Sequence, residues 1–420
     1  MKTLLLSLLF LFAAASSLPA QTKTIEEFTA GMEKHSGFFT YYLDMNEGRI
    51  WLEVDHFNNE FLYINSLTAG LGSNDIGLDR NRLGDTRIVS FNHIVPKLLL
   101  TESNYSFRAE STNQDEVKAV TDAFATSVIW GFKVSAATGT RVLVDATDFI
   151  IADSQGISSS LKGSGQGDYR QEMSRSAIYP ENTRNFPMNS EFEAIITFTS
   201  PSPGNYVRSV APDAGSISLR QHHSFVQLPD NKYIPREWDA RSGYGAISYM
   251  DFASPIDQDI TKRYIRRHRL EKKDPSAAIS DPVKPIIYYV DRGTPEPIRT
   301  ALIEGASWWN QAFEAAGYRN AFQVKLLPEG ADPMDVRYNM INWVHRSTRG
   351  WSYGNSVTDP RTGEIIKGHI ALGSQRIRQD FLIASGLVAE YIDGEELDPA
   401  ISEMAILRIR QLSCHEVGHT

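Results

Sequence analysis

A single cysteine, Cys414, occurs in the 420 residues, so no intrachain disulfide can form and stability must come from packed cores or bound metal. No block of lysine or arginine interrupts the chain, whose formal charge is -9. Nucleic acid and anionic membrane surfaces both demand a cationic patch, so neither is expected as a partner, and small molecules or proteins are favoured. Long apolar runs are lacking as well. The longest, Leu4 to Ala15, falls short of the roughly 20 residues that span a bilayer. No internal repeat is found.

What is present fits a globular protein of two or three domains, with 41% hydrophobic and 22% charged residues. The opening "MKTLLLSLLFLFAAASSLPA" has one lysine, then the apolar run, then small residues ending at Ala20. That layout predicts a secretory signal peptide over 1–20, a mature start at Gln21 and an exported protein in the periplasm, at the cell surface or in the medium. The mature chain is expected to hold no membrane span.

From about Thr22 to Ser280 the text alternates in strand fashion, as in "GRIWLEVD", "NNEFLYINSL", "EFEAIITFTS" and "SISLRQHHSFVQLP". One segment, "DEVKAVTDAFATSVIWGF", reads as a helix through Val117, Val120, Phe124 and Val128. We divide this part into a small module over 21–70 and a β-rich domain of unknown role over 71–262. Residues 263–284, charged and then rich in Pro, Ser and Ala, read as a connector.

The texture changes over 285–420. "IIYYVD" is a short strand. Thr294 is placed to cap a helix that tolerates Pro295 and Pro297 in its first turn and ends at Gly317. Strands follow, two of them joined by a turn at Asp359 to Gly363. Asp398 and Pro399 open a final helix that runs to "SCHEVGHT". The whole is predicted to be α+β.

On that helix His415 and His419 lie about 40° apart around the axis, one turn from each other. Two imidazole nitrogens so placed can share one Zn²⁺ at about 2.0–2.1 Å. Glu416 projects beside them, where its carboxylate can hold a water that zinc has acidified and take its proton as a peptide carbonyl is attacked. One mechanism therefore requires all three residues. The glutamate is the candidate catalytic base, the two histidines are the candidate metal ligands, and no organic cofactor is implied.

Other residues invite weaker readings. Cys414 lies about 100° around the helix from His415, so it is expected to be a small packing residue. His222 and His223 are adjacent in a strand and point to opposite faces. His345 and His369 are conceivable substitute ligands. Trp308 and Trp309, being adjacent on a helix, do not face together, and Trp309 is assigned to the core. "GLGSNDIGLDR" lacks the lysine of a P-loop and the spacing of an EF-hand, which leaves a structured surface loop.

The runs "KPIIYYVDRGTPEPIRTALIEGASWWNQAFEAAG", "ADPMDVRYNMINWVHRSTRGWSYGNSVTDPRTGEIIKGHIALGSQRIRQD" and "SCHEVGHT" make the stretch from Lys284 to Thr420 resemble the catalytic part of a family of exported bacterial zinc-dependent metalloproteases of metzincin type. "GLGSNDIGLDR", "VLVDATDF" and "HRLEKKDP" extend the resemblance to that family's N-terminal regions. It implies a zincin-like catalytic domain, Zn²⁺ on His415 and His419, Glu416 as general base, and a peptide or protein substrate. The substrate is expected to pair with an edge strand, for which "EIIKGHIAL", 364–372, is the candidate. In the metzincin pattern a third histidine follows a glycine turn and would fall after Thr420. These residues are therefore read as the N-terminal portion of a longer protein, binding zinc weakly and cleaving nothing alone. The alternatives are an exported binding protein built on a degenerate zincin scaffold, and a hydrolase using Cys414. A zinc chelator and a thiol alkylator separate the latter from the metallopeptidase reading.

Overall fold

The computed structural model describes residues 23–348, 350–388 and 398–420, so the signal-peptide assignment over 1–20 lies outside the described residues. The chain is α+β and β-rich. Ten strands build most of its largest sheet: β1 Glu33–His35, β2 Thr40–Asp44, β3 Arg49–Val54, β4 Glu60–Ala69, β5 Leu83–Ile94, β6 Lys97–Glu102, β7 Ser127–Thr138, β8 Arg141–Asp145, β9 Asn189–Thr199 and β10 Ser216–Val226. Three short strands on the outer flank of β9 complete a 13-stranded sheet, ordered β1-β2-β3-β8-β7-β6-β5-β4-β10-β9. Every pairing in it is antiparallel. Residues of the expected 21–70 module and of the region beyond it share this sheet, since β4 lies between β5 and β10.

The sheet curls until its ends almost meet. The Phe38 amide donates to the Phe186 carbonyl at 2.9 Å, and Asn185 Nδ2 donates to the carbonyls of His35 and Phe39. Aromatic residues from alternating positions fill the interior, with Phe39, Phe61, Phe91, Phe192 and Phe225 in edge-on contacts. Such rings stabilise through buried area and quadrupole geometry together.

The predicted helix over 115–132 is half correct. Its helix covers Gln114–Ala123, capped by the Asn113 side chain, and the chain then enters β7. The β-branched and aromatic run Val128-Ile129-Trp130 fits a pleated surface better than a helix, and it overrides the helical spacing of Val117, Val120 and Phe124.

A second, five-stranded sheet follows, from β11 Ile286–Val290, β12 Phe322–Leu326, β13 Asn339–Val344, β14 Tyr353–Thr358 and β15 Ile365–Gly373. Its order is β12-β11-β13-β15-β14, parallel throughout except for the antiparallel β14. The candidate substrate strand, 364–372, is thus β15 and lies inside the sheet; the edge is β14. Gly363, at φ 80°, lets the chain turn back and insert β15 between β13 and β14. Four helices accompany the sheet: α1 Ile298–Ser307, α2 Trp309–Ala315, α3 Gln375–Val388 and α4 Pro399–Gly418. Thr294 does not cap α1, whose N-cap is Pro297.

Alternation gives this sheet two different faces. Ile341, Trp343, Ile370 and Leu372 pack with Leu302 of α1 and with Ile409 and Val417 of α4. Met340, Asn342, Lys367 and His369 face the barrel. The two bodies are fastened by polar bonds. Arg346 Nε donates to Asp79 at 2.9 Å, both groups buried, and the Ser347 amide donates to the Gly72 carbonyl. Asn189 bridges to Met334 and Val336. The loop expected to be a surface feature, 70–80, is therefore a clamp between the bodies, with Leu78 and Asp79 buried. The 263–284 connector is also tied down, through Arg269 to Glu364 and His268 to the Tyr288 hydroxyl. Among the described residues no helix is long and apolar enough to cross a membrane.

Candidate metal centre

Helix α4 starts where sequence chemistry places it. The Asp398 carboxylate accepts from the Ala400 amide at 2.8 Å, and Pro399 fills the first helical position, where its missing N–H costs nothing. Ile401, Ala405, Ile409, Ser413 and Val417 recur along one buried face. That face crosses α1 at very short range: a Cβ on Gly305 would overlap the Arg410 backbone, and Ser413 Oγ donates to the Leu302 carbonyl at 2.8 Å. Near the C-terminal turn, Trp309 Nε1 donates to the Cys414 carbonyl at 2.7 Å, and a Cβ on Gly418 would lie 2.5 Å from the Trp309 ring. The helix is thus fixed in depth and rotation before its last turn is reached.

The consequence is that His415 and His419 emerge on the exposed side while Glu416 stays buried. Their Nε2 atoms face each other at 3.2 Å, with the rings nearly perpendicular. Two nitrogens bound to one zinc at about 2.0–2.1 Å in tetrahedral geometry stand about 3.3 Å apart, so the pair has the bite that the metal requires. The donor atoms of His415, Glu416 and His419 all lie within 4.8 Å of one another, a group found nowhere else among the described residues. Burial pushes the Glu416 carboxyl above its ordinary value, opposed by the two histidines and a Gly354 backbone contact. A carboxylate so desolvated is a stronger base than one in water.

Strand β14 meets the same turn. A Cβ on Gly354 would overlap the Glu416 carbonyl oxygen and lie 2.8 Å from His419 Cβ, so only glycine permits the approach. Strand β14 pairs with β15 on one side; no strand borders its other side among the described residues. Its free backbone edge therefore runs past the histidine pair.

The remaining sequence candidates lie elsewhere. His345 Nδ1 bonds to Ser374 Oγ, and His369 Nε2 donates to the Asn81 carbonyl on the barrel side; neither joins the metal group. Cys414 is half-buried outside the group, and burial raises its thiol pKa. Trp309 packs against the core beside α1 while Trp308 is exposed. His222 and His223 do point to opposite faces. His223 enters the barrel interior, bonded to Tyr63 and the Ile150 carbonyl, and burial holds its pKa down to about 3. His222 faces outward between Glu191 and Glu193.

Sequence reasoning missed Gly354 and the polar residues between the bodies, Glu191, Glu193, Lys367 and Asp79. For Gly354 no local signal exists, because the contact joins residues far apart in the chain. For Lys367 the alternation of "EIIKGHIAL" was the available sign, and for Glu191 and Glu193 that of "EFEAIITFTS"; nothing around Asp79 marks its contact. Polar side chains at every second position mark a face that meets something polar.

Residues 22–70 match the model of a family described as a domain of unknown function, DUF5118, and residues 81–273 match that of another, DUF5117. No curated protein and no solved structure matches the chain. Both matched families cover the barrel and its flanking strands, and neither reaches the five-stranded sheet or the helix that carries His415.

Proposed function

We propose that residues 285–420 belong to a zincin-like catalytic domain of metzincin type, and that the protein is an exported zinc metallopeptidase. One observation carries this reading: two imidazole Nε2 atoms 3.2 Å apart on an exposed helix turn, with a buried glutamate between them in sequence. The neighbouring free edge of β14 supports it, since an extended peptide adds to a sheet edge through main-chain hydrogen bonds. The parallel sheet backed by α1 and α4 is a suitable rigid mount for such a site.

In this reading His415 and His419 hold the ion and Glu416 serves as the general base. The ion, when bound, supplies Lewis acidity toward water and the scissile carbonyl. Glu416 orients the attacking water and accepts its proton, then returns that proton to the leaving amine. Strand β14 holds the substrate backbone extended, and Gly354 keeps that strand close to the histidines. A catalytic zinc has three protein ligands, and His415 and His419 supply two, so the mechanism requires a third beyond this pair.

The test is calorimetric titration of Zn²⁺ into the chain and into H415A, H419A and E416Q, with casein hydrolysis measured alongside. The expected result is zinc binding that both histidine variants lose and E416Q retains, with no casein cleavage by the 420-residue chain. Zinc binding that survives in H415A and H419A would refute the ligand assignment. Chelator-sensitive cleavage by the chain itself would refute the need for a third ligand.

A further inference from the structure

The face of the five-stranded sheet opposite the metal helix borders a cleft of about 500 Å³ against the barrel. Strand alternation decides what enters it. From β10 come Arg220, His222 and Ser224, and from β15 come Lys367 and His369, each set pointing one way because alternate side chains share a face. Clefts of roughly 300–1,000 Å³ between bodies, mostly apolar with a few convergent polar groups, are the usual places for small ligands.

The polar groups divide into committed and free. Glu191 accepts from His222, from Ser224 Oγ at 2.6 Å and from Asn189. Glu193 takes His222 Nδ1 at 3.1 Å, Asn182 at 3.0 Å and Arg220 at 3.4 Å. Both acids are thus saturated by the barrel's own donors. Lys367, nine-tenths buried, donates to the carbonyls of Pro333 at 2.6 Å and Asp335 at 3.2 Å. No carboxylate hydrogen-bonds to it among the described residues; the nearby Asp335 carboxylate is held by Arg337. One ammonium proton therefore has no acceptor among the described residues, and the charge is offset only through space by Glu191, Asp335 and Asp332, each already paired with another cation. Asn81, which also lines the cleft, has a buried Nδ2 with no hydrogen-bond partner. Both donors border the same cleft, and Asn81 is tied to the strand of Lys367 by its carbonyl, which accepts at 2.8 Å from His369 two residues along on the same face.

A spare ammonium proton and an unpartnered amide ask for an acceptor group, and with Glu191 and Asp332 already nearby that group can carry no more than a single negative charge. A phosphate dianion would bring excess charge close to Glu191 and Asp332, whereas a carboxylate balances one ammonium. Ile64, Met340 and Val357 supply an apolar part of the wall. We propose that this cleft binds a small amphiphilic carboxylate, with Lys367 and Asn81 as donors to the carboxylate and Ile64, Met340 and Val357 against the apolar tail.

Octanoate titrated calorimetrically into the full chain tests this. A saturable one-to-one heat is expected, with octanamide, its uncharged counterpart, binding about tenfold more weakly or worse, as loss of a charge-assisted bond implies. K367M is expected to weaken octanoate by about tenfold or more. S66F, which fills the cleft from β4, should abolish binding, and it decides the matter if K367M does not fold. The proposal is overturned if no saturable heat appears, if S66F binds octanoate as the parent does, if octanamide equals octanoate, or if inorganic phosphate binds where octanoate does not.

Discussion

Two clusters of histidine and glutamate occur in this molecule, and they have opposite characters. In the barrel wall Glu193 stands directly across from His222 in the β9–β10 register, and Glu191 closes on the other ring nitrogen. All three are buried, and every donor finds an acceptor. On α4 the spacing is helical, so His415 and His419 project together into solvent with their nitrogens aimed at each other rather than at carboxylates. Residue type does not distinguish the two. What separates them is whether the lone pairs are already spent: a cross-strand arrangement closes into an ion-pair cluster, and an i, i+4 pair at a packed helix end leaves a bite open.

The largest effect expected from breaking the comparison is in stability, at the closed cluster. E191A leaves the buried His222 short of a partner, and breaking a buried pair costs about 3–5 kcal/mol. Urea unfolding should show this as a lower midpoint, while zinc affinity is unchanged. The same cluster sets a pH dependence. Burial opposes the imidazolium, but the hydrogen bonds it donates to Glu191 and Glu193 overcome this and raise His222 from 6.5 to about 9. A raised folded-state value means that the contribution is complete below about pH 6.5, declines as pH rises and is lost above about pH 9. The urea midpoint of the parent should fall across that window more steeply than that of H222Q; equal slopes would place the charge elsewhere.

H415A tests the open cluster and should give the reverse pattern. Removing an outer partner of a metal ligand already costs 10–100-fold, so loss of the ligand itself should weaken Zn²⁺ by about a hundredfold or more. Stability without metal should move by no more than about 0.5 kcal/mol, since the side chain is exposed. A large loss of stability instead would mean that the histidine is structural. G354A comes next. Its new methyl would meet the Glu416 carbonyl and His419 Cβ, so an overpacking cost of about 1–3 kcal/mol is expected, together with weaker zinc binding as the turn shifts. Cost without any change in zinc affinity would detach β14 from the site.

The α/β half was largely legible because its signals are local. Asp398-Pro399 announces a helix start, Asp359 to Gly363 a tight turn, and His-Glu-x-x-His carries its geometry in its own spacing. The barrel strands were legible as strands, but their closure was not, because it rests on Asn185 and Phe186 meeting His35 to Phe39 from far along the chain. The misplaced edge strand has the same origin. Chain order runs β13, β14, β15, whereas spatial order puts β15 in the middle, and nothing within "EIIKGHIAL" declares which neighbour it takes. The Asp79–Arg346 pair was equally invisible, as two ordinary charges 267 positions apart. Overextension of the helix at 115–132 is a different kind of error, in which a spacing match outweighed the β-branched residues that follow it.

Cys414 offers the smallest expected effect and the sharpest control on the comparison. It is next to His415 in sequence, yet the helix carries its thiol around to the half-buried side, where its backbone carbonyl, not its sulfur, holds Trp309. Burial pushes the thiol pKa up, which keeps it protonated and a poor metal ligand at neutral pH. C414A should therefore leave zinc affinity within about twofold, because no ligand is lost, and should cost no more than about 1 kcal/mol in stability, as deletion of one small partly buried group implies. A hundredfold loss of zinc in C414A would show that sulfur, rather than the pair of imidazoles, closes the bite. If that were observed, the helix would have to be rotated by about 100° from the position that Ser413, Gly418 and Trp309 now enforce.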